Sequence, residues 1–463
     1  MPVNKMLARG SAFLGAATLT AAAHAADVVL VNFDPPGSGL NDPTPVEPLP
    51  DNPGTTVGEQ RFNAFQAGAD KWGATLQSDV PIFVGASFSP RPCTAAGGVL
   101  ASAGPTAVLA NFSGAEKADT WYVGALADAL TGVDLDPGFI DAVAFFHSEL
   151  GPPGCLENSG WYYGLDGNQA ANEIDFLAVV THELAHGLGF LELVSESTGA
   201  LFIGRPDIYS TFMFDTNQGK FFSEMTDTER LQAQVSSGAL VWTGENVTAQ
   251  APDVLGPRPS IQVLRPAALK GFLDAQQASF GPPLVVNGGM TGQVALADDG
   301  VDIGTDACEP ITDRSLRGKI ALIDRGGCAF TTKVLNAQAA GAKGAIVANN
   351  QPGGPAPMGG FSPFVTIPSV GITLAQGDAI KDADKVNLKL ILNPDKLAGA
   401  NDDGQVLLYA PNPVQPGSSK SHFDTSAEPS LLMEPSITPG LDAANDLDLT
   451  PALFDDIGWV LQQ

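Results

Sequence analysis

Cationic side chains are scarce in this chain. Lysine and arginine number 23 against 51 aspartates and glutamates, a formal net charge of −28. That balance argues against nucleic acid or anionic membrane surfaces as partners, because both select basic faces. Long apolar runs are missing as well. No segment approaches the ~20 residues of a bilayer-crossing helix, so no membrane span is expected. Cysteine is limited to Cys93, Cys155, Cys308 and Cys328. None of these shows the tight pair spacing of a four-cysteine zinc site. Histidine is almost as rare, with five in 463 residues: His24, His147, His182, His186 and His422.

The first residues fit a secretory signal. Lys5 and Arg9 form a basic region, residues 10–22 are small and apolar, and Ala23-His24-Ala25 fits a cleavage site. Removing residues 1–25 takes two cations and no carboxylate, so the net charge moves from −28 to −30. The expected location is therefore extracellular or periplasmic. An even cysteine count in an exported chain favours two disulfides. Three pairings are open, and proximity along the chain favours Cys93–Cys155 and Cys308–Cys328.

Two of the few histidines stand in Val179-Val-Thr-His-Glu-Leu-Ala-His-Gly-Leu-Gly-Phe190. His182 and His186 are four residues apart, with Glu183 beside the first. Residues at that spacing share one helix face, so both imidazoles can reach one ion. His-Glu-x-x-His is a zinc-hydrolase signature, with the histidines as ligands and the glutamate as general base. Leu177, Val180, Leu184 and Leu188 form the core stripe of that helix. Asn172 or Asp175 is placed to cap its start, and Gly187 and Gly189 to end it.

Elsewhere Val28–Asn32 reads as a strand, and Phe62, Phe65, Ala69, Trp72 and Leu76 as a helix stripe. Val80–Val84, Ala142–Phe146 and Trp161–Tyr163 read as further strands. Ala251-Pro252, Gly256-Pro257 and Arg258-Pro259 read as a linker. Beyond it come a strand at Lys319–Ile323, a helix at Ala329–Ala340 and a strand at Ala345–Ala348. His147 reads as structural. The acidic loops Asp298–Asp302 and Asn401–Gly404 are candidate calcium (Ca²⁺) loops, although neither has a full calcium-loop pattern.

The segment after the linker resembles the protease-associated domain. The residues that carry this are Gly318-Lys-Ile-Ala-Leu-Ile-Asp-Arg-Gly-Gly-Cys-Ala-Phe330, then Lys333, Ala337–Gly344 and Ile367–Ile372. The resemblance implies a non-catalytic lid or interaction module.

A catalytic zinc usually takes three protein ligands. Two candidates stand for the third. Glu192 lies six residues after His186, where metzincin proteases carry a histidine; it also reads as an ordinary polar residue of the exit loop. His422 lies in Ser421-His-Phe-Asp424, eleven residues before Met433 in Leu431-Leu-Met-Glu-Pro435. These segments, with Phe190 after Gly189 and Leu449–Trp459 at the end, resemble the leishmanolysin family of metzincins. The resemblance implies that His422 is the third ligand, that Met433 forms the turn beneath the metal, and that the protease-associated domain is an insertion. It departs from the family's pattern in two respects: no tyrosine follows Tyr409, and no inhibitory propeptide is visible between the expected signal and the first strand.

The expected fold is α+β: a metzincin-like catalytic domain, made of a twisted sheet and an active-site helix, interrupted by a small β-rich protease-associated domain. The expected units are a signal at 1–25, catalytic parts at 26–259 and 399–463, and the insert at 260–398. The expected function is a secreted zinc-dependent metalloendopeptidase. His182, His186 and His422 would bind one Zn²⁺ per chain, Glu183 would act as base, Gly189 and Met433 would support the site, and protein or peptide would be the substrate. Two alternatives are a zinc-binding, non-proteolytic recognition protein and a zinc hydrolase acting on a cell-wall amide.

Overall fold

The computed structural model describes residues 24–462 apart from 96, 302–303, 438–440 and 442–445. Residues 1–23 of the expected signal, and Asp302 of a candidate calcium loop, lie outside the described residues. The chain is a mixed α/β protein.

Its first unit is a four-stranded sheet covered by two helices. The elements are β1 (Val28–Asn32), α1 (Val57–Thr75), β2 (Ile82–Ser89), β3 (Ala101–Pro105), β4 (Ala142–His147) and α2 (Phe176–Leu188). The strand order is β1-β2-β4-β3. The first three run parallel, and β3 lies antiparallel to β4 as an edge. Helix α1 starts earlier than its apolar stripe, because Thr56 and Glu59 form a reciprocal capping box there. Strand β2 is displaced from the expected Val80–Val84. The Ser78 hydroxyl and Val80 backbone make a local turn, Pro81 offers no N–H, and pairing with β4 carries the strand on to Ser89.

The expected linker around residues 250–260 is not a linker. Glu245–Val254 is helix α3, with Pro252 inside it, and Pro257–Arg265 is strand β5. The prolines of β5 lie at the end flanked by one strand only, where a missing donor is tolerated. Arg258 between them is buried. Its guanidinium bonds Asp274, Asp402 and the carbonyls of Leu397, Ala400 and Asn401. A five-fold donor satisfied this way locks the segment rather than freeing it.

The insert adds β6 (Gly271–Asp274), β7 (Gln276–Gln277), β8 (Met290–Leu296), β9 (Ile320–Asp324), α4 (Phe330–Ala339), β10 (Gly344–Ala348), β11 (Ser369–Ile372), α5 (Leu374–Lys381) and β12 (Asn387–Leu397). With β5 they form an eight-stranded sheet in the order β6-β5-β12-β8-β9-β10-β11-β7. Its central strands β9, β10 and β11 are buried on both faces. Ala321, Ile323, Ala345 and Val347 face one core, and Ile320, Leu322, Ile346 and Ala348 the other. The disulfides are Cys93–Cys155 in the outer unit and Cys308–Cys328 in the insert.

After β12 the chain returns to the first unit and ends on helix α6 (Thr450–Ile457). Val406, Leu408, Phe423, Leu431, Met433, Leu453 and Phe454 share one apolar core with Phe65, Trp72 and Leu184. The insert leaves where it enters: β5 and β12 are antiparallel neighbours, and Ala398 N–H donates to the Gly256 carbonyl at 2.9 Å. No described helix is long and apolar enough to cross a membrane.

This geometry predicts that residues 257–397 can be excised and Gly256 joined to Ala398 through a short glycine linker. The remainder is expected to unfold as one cooperative transition in calorimetry. A broad, non-cooperative trace would show that the two units share a single folding core.

Candidate metal centre

The centre is built on α2, a helix fixed at both ends. Asp175 caps its start by accepting from the Leu177 and Ala178 N–H groups at 2.9 and 3.3 Å. Asn172, the other capping candidate, instead donates to the Asn158 carbonyl. Phe176 packs its ring among Phe88, Phe146, Trp161 and Tyr163, with centroids 5.0–5.4 Å away. At the far end Gly189 ends the helix with a left-handed φ of 119°, which only glycine adopts without strain. Two distant indoles bond the helix backbone: Trp72 donates to the Thr181 carbonyl and Trp459 to the Leu188 carbonyl, each at 2.9 Å.

The helix brings two imidazoles together, and the segment after the insert supplies the third. His182 Nε2 lies 3.1 Å from His186 Nε2 and 3.2 Å from His422 Nε2. In each ring the opposite nitrogen meets a backbone carbonyl: Leu432 for His182 at 2.7 Å, Phe190 for His186 at 2.7 Å and Ser418 for His422 at 2.8 Å. A carbonyl cannot donate, so each Nδ1 carries the proton and each Nε2 lone pair points inward. Burial drives His182 down to about 3 and His186 to about 4, and holds His422 well below its ordinary value. All three are therefore neutral near pH 7, as metal ligands must be.

Three lone pairs crowded together repel unless a cation lies between them. Tetrahedral zinc with ~2.0–2.1 Å bonds to nitrogen sets its ligand atoms ~3.3 Å apart, close to the observed spacing. Glu183 is buried beside them, and burial raises its carboxyl to about 8, an effect that Arg91 opposes. Its Oε2 has no hydrogen-bond partner among the described residues. A buried polar atom of that kind calls for a ligand or water in the space it faces. The histidines and Glu183 open onto a cleft of about 880 Å³, bordered on one side by residues 100–103 around edge strand β3.

Glu192 is not at the centre. Its Oε1 lies 3.0 Å from the Lys420 ammonium, and both side chains are buried. Met433 is fully buried, next to the Leu432 carbonyl that holds His182. His147 stands apart from the cluster, with its Nδ1 accepting from the Glu149 N–H. In the candidate calcium loops, Asp402 is engaged by Arg258 and Lys396. Asp299 shares a cluster with Asp306 and Glu309, and the Lys333 ammonium lies 3.7 Å from Asp306. The sequence reading missed the three carbonyls that orient the histidines, the edge strand, and the pairing of Lys420 with Glu192. Carbonyl partners leave no side-chain signature, and Ala101-Ser-Ala-Gly-Pro105 has little of the β-branched character that marks strands.

Comparison with known proteins identifies one module. The family model of the PA domain matches residues 289–380. The receptor homology region, transmembrane domain- and RING domain-containing protein 1 of Oryza sativa subsp. japonica is 41% identical over 23% of this chain and 20% of its own length. Vacuolar-sorting receptor 7 of Arabidopsis thaliana is 31% identical over 29% of this chain and 23% of its own. The chain thus spans about a fifth to a quarter of the length of these relatives. A zinc aminopeptidase from Bacillus subtilis is 25% identical over 33% of this chain and 37% of its own, at a TM-score of 0.24.

The relatives correct the expectation of a secreted zinc-dependent metalloendopeptidase, and the protease label with it. They are receptor-type proteins and not zinc metalloproteases. The physical reason is that a ligand set constrains the ion a site takes, while the molecule recognised depends on surfaces that a short motif does not encode.

The aromatic cluster predicts that Phe176→Ala destabilises the protein by about 3–5 kcal/mol, the usual range for emptying a buried phenylalanine site. Denaturant unfolding measures this; a change below about 1 kcal/mol would show that the cluster does not anchor α2.

Proposed function

We propose that this chain is a zinc-binding, receptor-like recognition protein. In this reading a metzincin-like outer unit holds one zinc ion on His182, His186 and His422, and the PA domain takes the partner. The observation that carries the metal is the convergence of three Nε2 atoms at 3.1–3.2 Å, with every Nδ1 tied to a carbonyl. The metzincin-like assignment is supported by the order of parts: a sheet with an antiparallel edge strand, the histidine helix, and then a third histidine and a buried methionine turn. Recognition is supported by the PA domain and by the receptors among the relatives. An exported location is supported by the two disulfides.

A second reading rests on Glu183. Zinc would supply a polarised water of lowered pKa. In that reading Glu183 would take a proton at Oε2 and hand it to a departing group, the work of a general base and then acid. Edge strand β3, which pairs with one strand only among the described residues, borders the cleft and would offer its open edge to an acyl substrate. The chain would then be a zinc-dependent hydrolase as well as a recognition protein.

Elemental analysis of the purified chain is expected to give one zinc, removable by chelator. His422→Ala should weaken zinc binding by more than the ~10–100-fold of an outer-shell change. A wild-type chain that neither retains nor takes up zinc would overturn the metal assignment. Glu183→Gln should keep zinc while abolishing zinc-dependent turnover of chromogenic acyl esters and amides. Loss of zinc in that variant would make Glu183 structural, and wild-type protein that turns over no such substrate would remove the hydrolase reading.

A further inference from the structure

The buried pair formed by Glu192 and Lys420 has no place in the centre just described, yet it lies next to it in sequence on both sides. Glu192 follows His186 by six residues, and Lys420 precedes His422 by two. The Lys420 side chain is 0% exposed and that of Glu192 is 4% exposed, with Nζ and Oε1 3.0 Å apart. The ammonium also donates to Gln234 Oε1 at 3.2 Å. The second Glu192 oxygen accepts from the Val194 N–H at 2.5 Å. Two more bonds join the same segments: Glu192 N–H donates to Ser421 Oγ at 3.3 Å, and Gly417 N–H donates to Glu196 Oε1 at 3.0 Å.

Lys420 is unusual in its backbone too. Its φ of 73° lies in the left-handed region, which costs energy for a residue with a side chain. That turn reverses the chain between Ser418, whose carbonyl orients the His422 ring, and His422 itself. Tyr209 holds the turn by donating its hydroxyl to the Lys420 carbonyl at 3.2 Å. A buried ion pair is weak evidence for stability, because desolvation offsets its attraction; its better-attested use is to fix one register among several.

We infer that Glu192 and Lys420 are positioning residues: their buried ion pair clamps the segment carrying His422 against the exit loop of α2, so that the third imidazole meets the other two. The clamp solves a geometric problem. His182 and His186 are set by one helix, whereas His422 arrives after the insert on a segment outside any helix. That segment is paired to the backbone of residues 407–409 by one antiparallel bridge, Leu408↔Phe423, and by the Tyr409 N–H that donates to the His422 carbonyl at 2.9 Å. These bonds hold its backbone and leave the side on the exit loop of α2 to the ion pair. The inference rests on the three-histidine reading of the centre.

The test compares zinc affinity, by competition with a chromophoric chelator, and the thermal midpoint of metal-free protein. The chains are wild type, Glu192→Gln, Lys420→Met and the double variant, with Co²⁺ absorption reporting the coordination shell. Each single variant is expected to lose about 10–100-fold in zinc affinity. Each should also lower the metal-free midpoint, since one buried polar group is left without its partner. The double variant removes both charges. Its metal-free midpoint should recover toward wild type while its zinc affinity stays low and its Co²⁺ bands stay weakened. Recovery of zinc affinity together with the midpoint would mean that the pair serves only the fold, and would overturn the inference. So would unchanged affinity in a folded double variant. If wild-type protein binds no zinc at all, it is the metal centre that fails, which the wild-type arm reports separately.

Discussion

The proposed metal centre, a cluster of three histidines, depends on three backbone carbonyls. Leu432, Phe190 and Ser418 each accept from a histidine Nδ1, and so decide which nitrogen of each ring faces its neighbours. The carbonyls come from three different loops: the methionine turn, the exit of α2, and the segment before His422. A ring left free would rotate and tautomerise, and three free rings would not hold their lone pairs within 3.2 Å of one another. The site therefore exists only when all three loops are docked, and the surrounding packing serves that docking. Trp72 from α1 and Trp459 from the C-terminus bond the backbone of α2, while Phe190 and Phe423 pack edge to face beneath the histidines at 5.1 Å.

The parts of this arrangement that were legible in the sequence are those set by short-range periodicity. His182 and His186 share a face because four residues make about one helical turn, and Gly189 ends the helix because a positive φ was needed there. The β9–α4–β10 run was readable because two short, continuous apolar runs flank a helical stretch, the pattern of strands buried on both faces. His422 was reachable only through a family resemblance, because no local rule links it to a helix more than 200 residues earlier.

What failed in the sequence reading failed for identifiable reasons. Prolines at 252, 257 and 259 looked like a linker, but one buried arginine between them supplies enough satisfied bonds to hold that stretch in a sheet. From sequence Glu192 reads as either a ligand or an ordinary polar residue of the exit loop. It is neither, since a carboxylate sealed from water needs a cation, and the cation is a lysine far away in sequence. The functional reading went furthest astray where it moved from ligands to substrate. A catalytic motif is a few side chains on one helix, whereas recognition is a property of whole surfaces, and the PA domain over residues 289–380 brings a surface of its own.

The insert raises the question of how the third histidine of the cluster can be encoded on the far side of a whole domain. A flexible loop between His186 and His422 would add an entropic cost to bringing them together, although one that rises only logarithmically with length. A folded insert changes the problem. Strands β5 and β12 pair antiparallel from Pro257↔Leu397 onward, and the Ala398-to-Gly256 bond closes the junction. To the outer unit, the insert then behaves as a connection a few residues long, because its two ends are held together by its own sheet. Docking of the His422 segment is left to local interactions: the shared core around Phe423 and Met433, the carbonyl of Ser418, and the pair of Lys420 with Glu192. In the proposed reading the insert presents its own surface to a partner without straining the three-histidine cluster, provided that β5 and β12 stay paired.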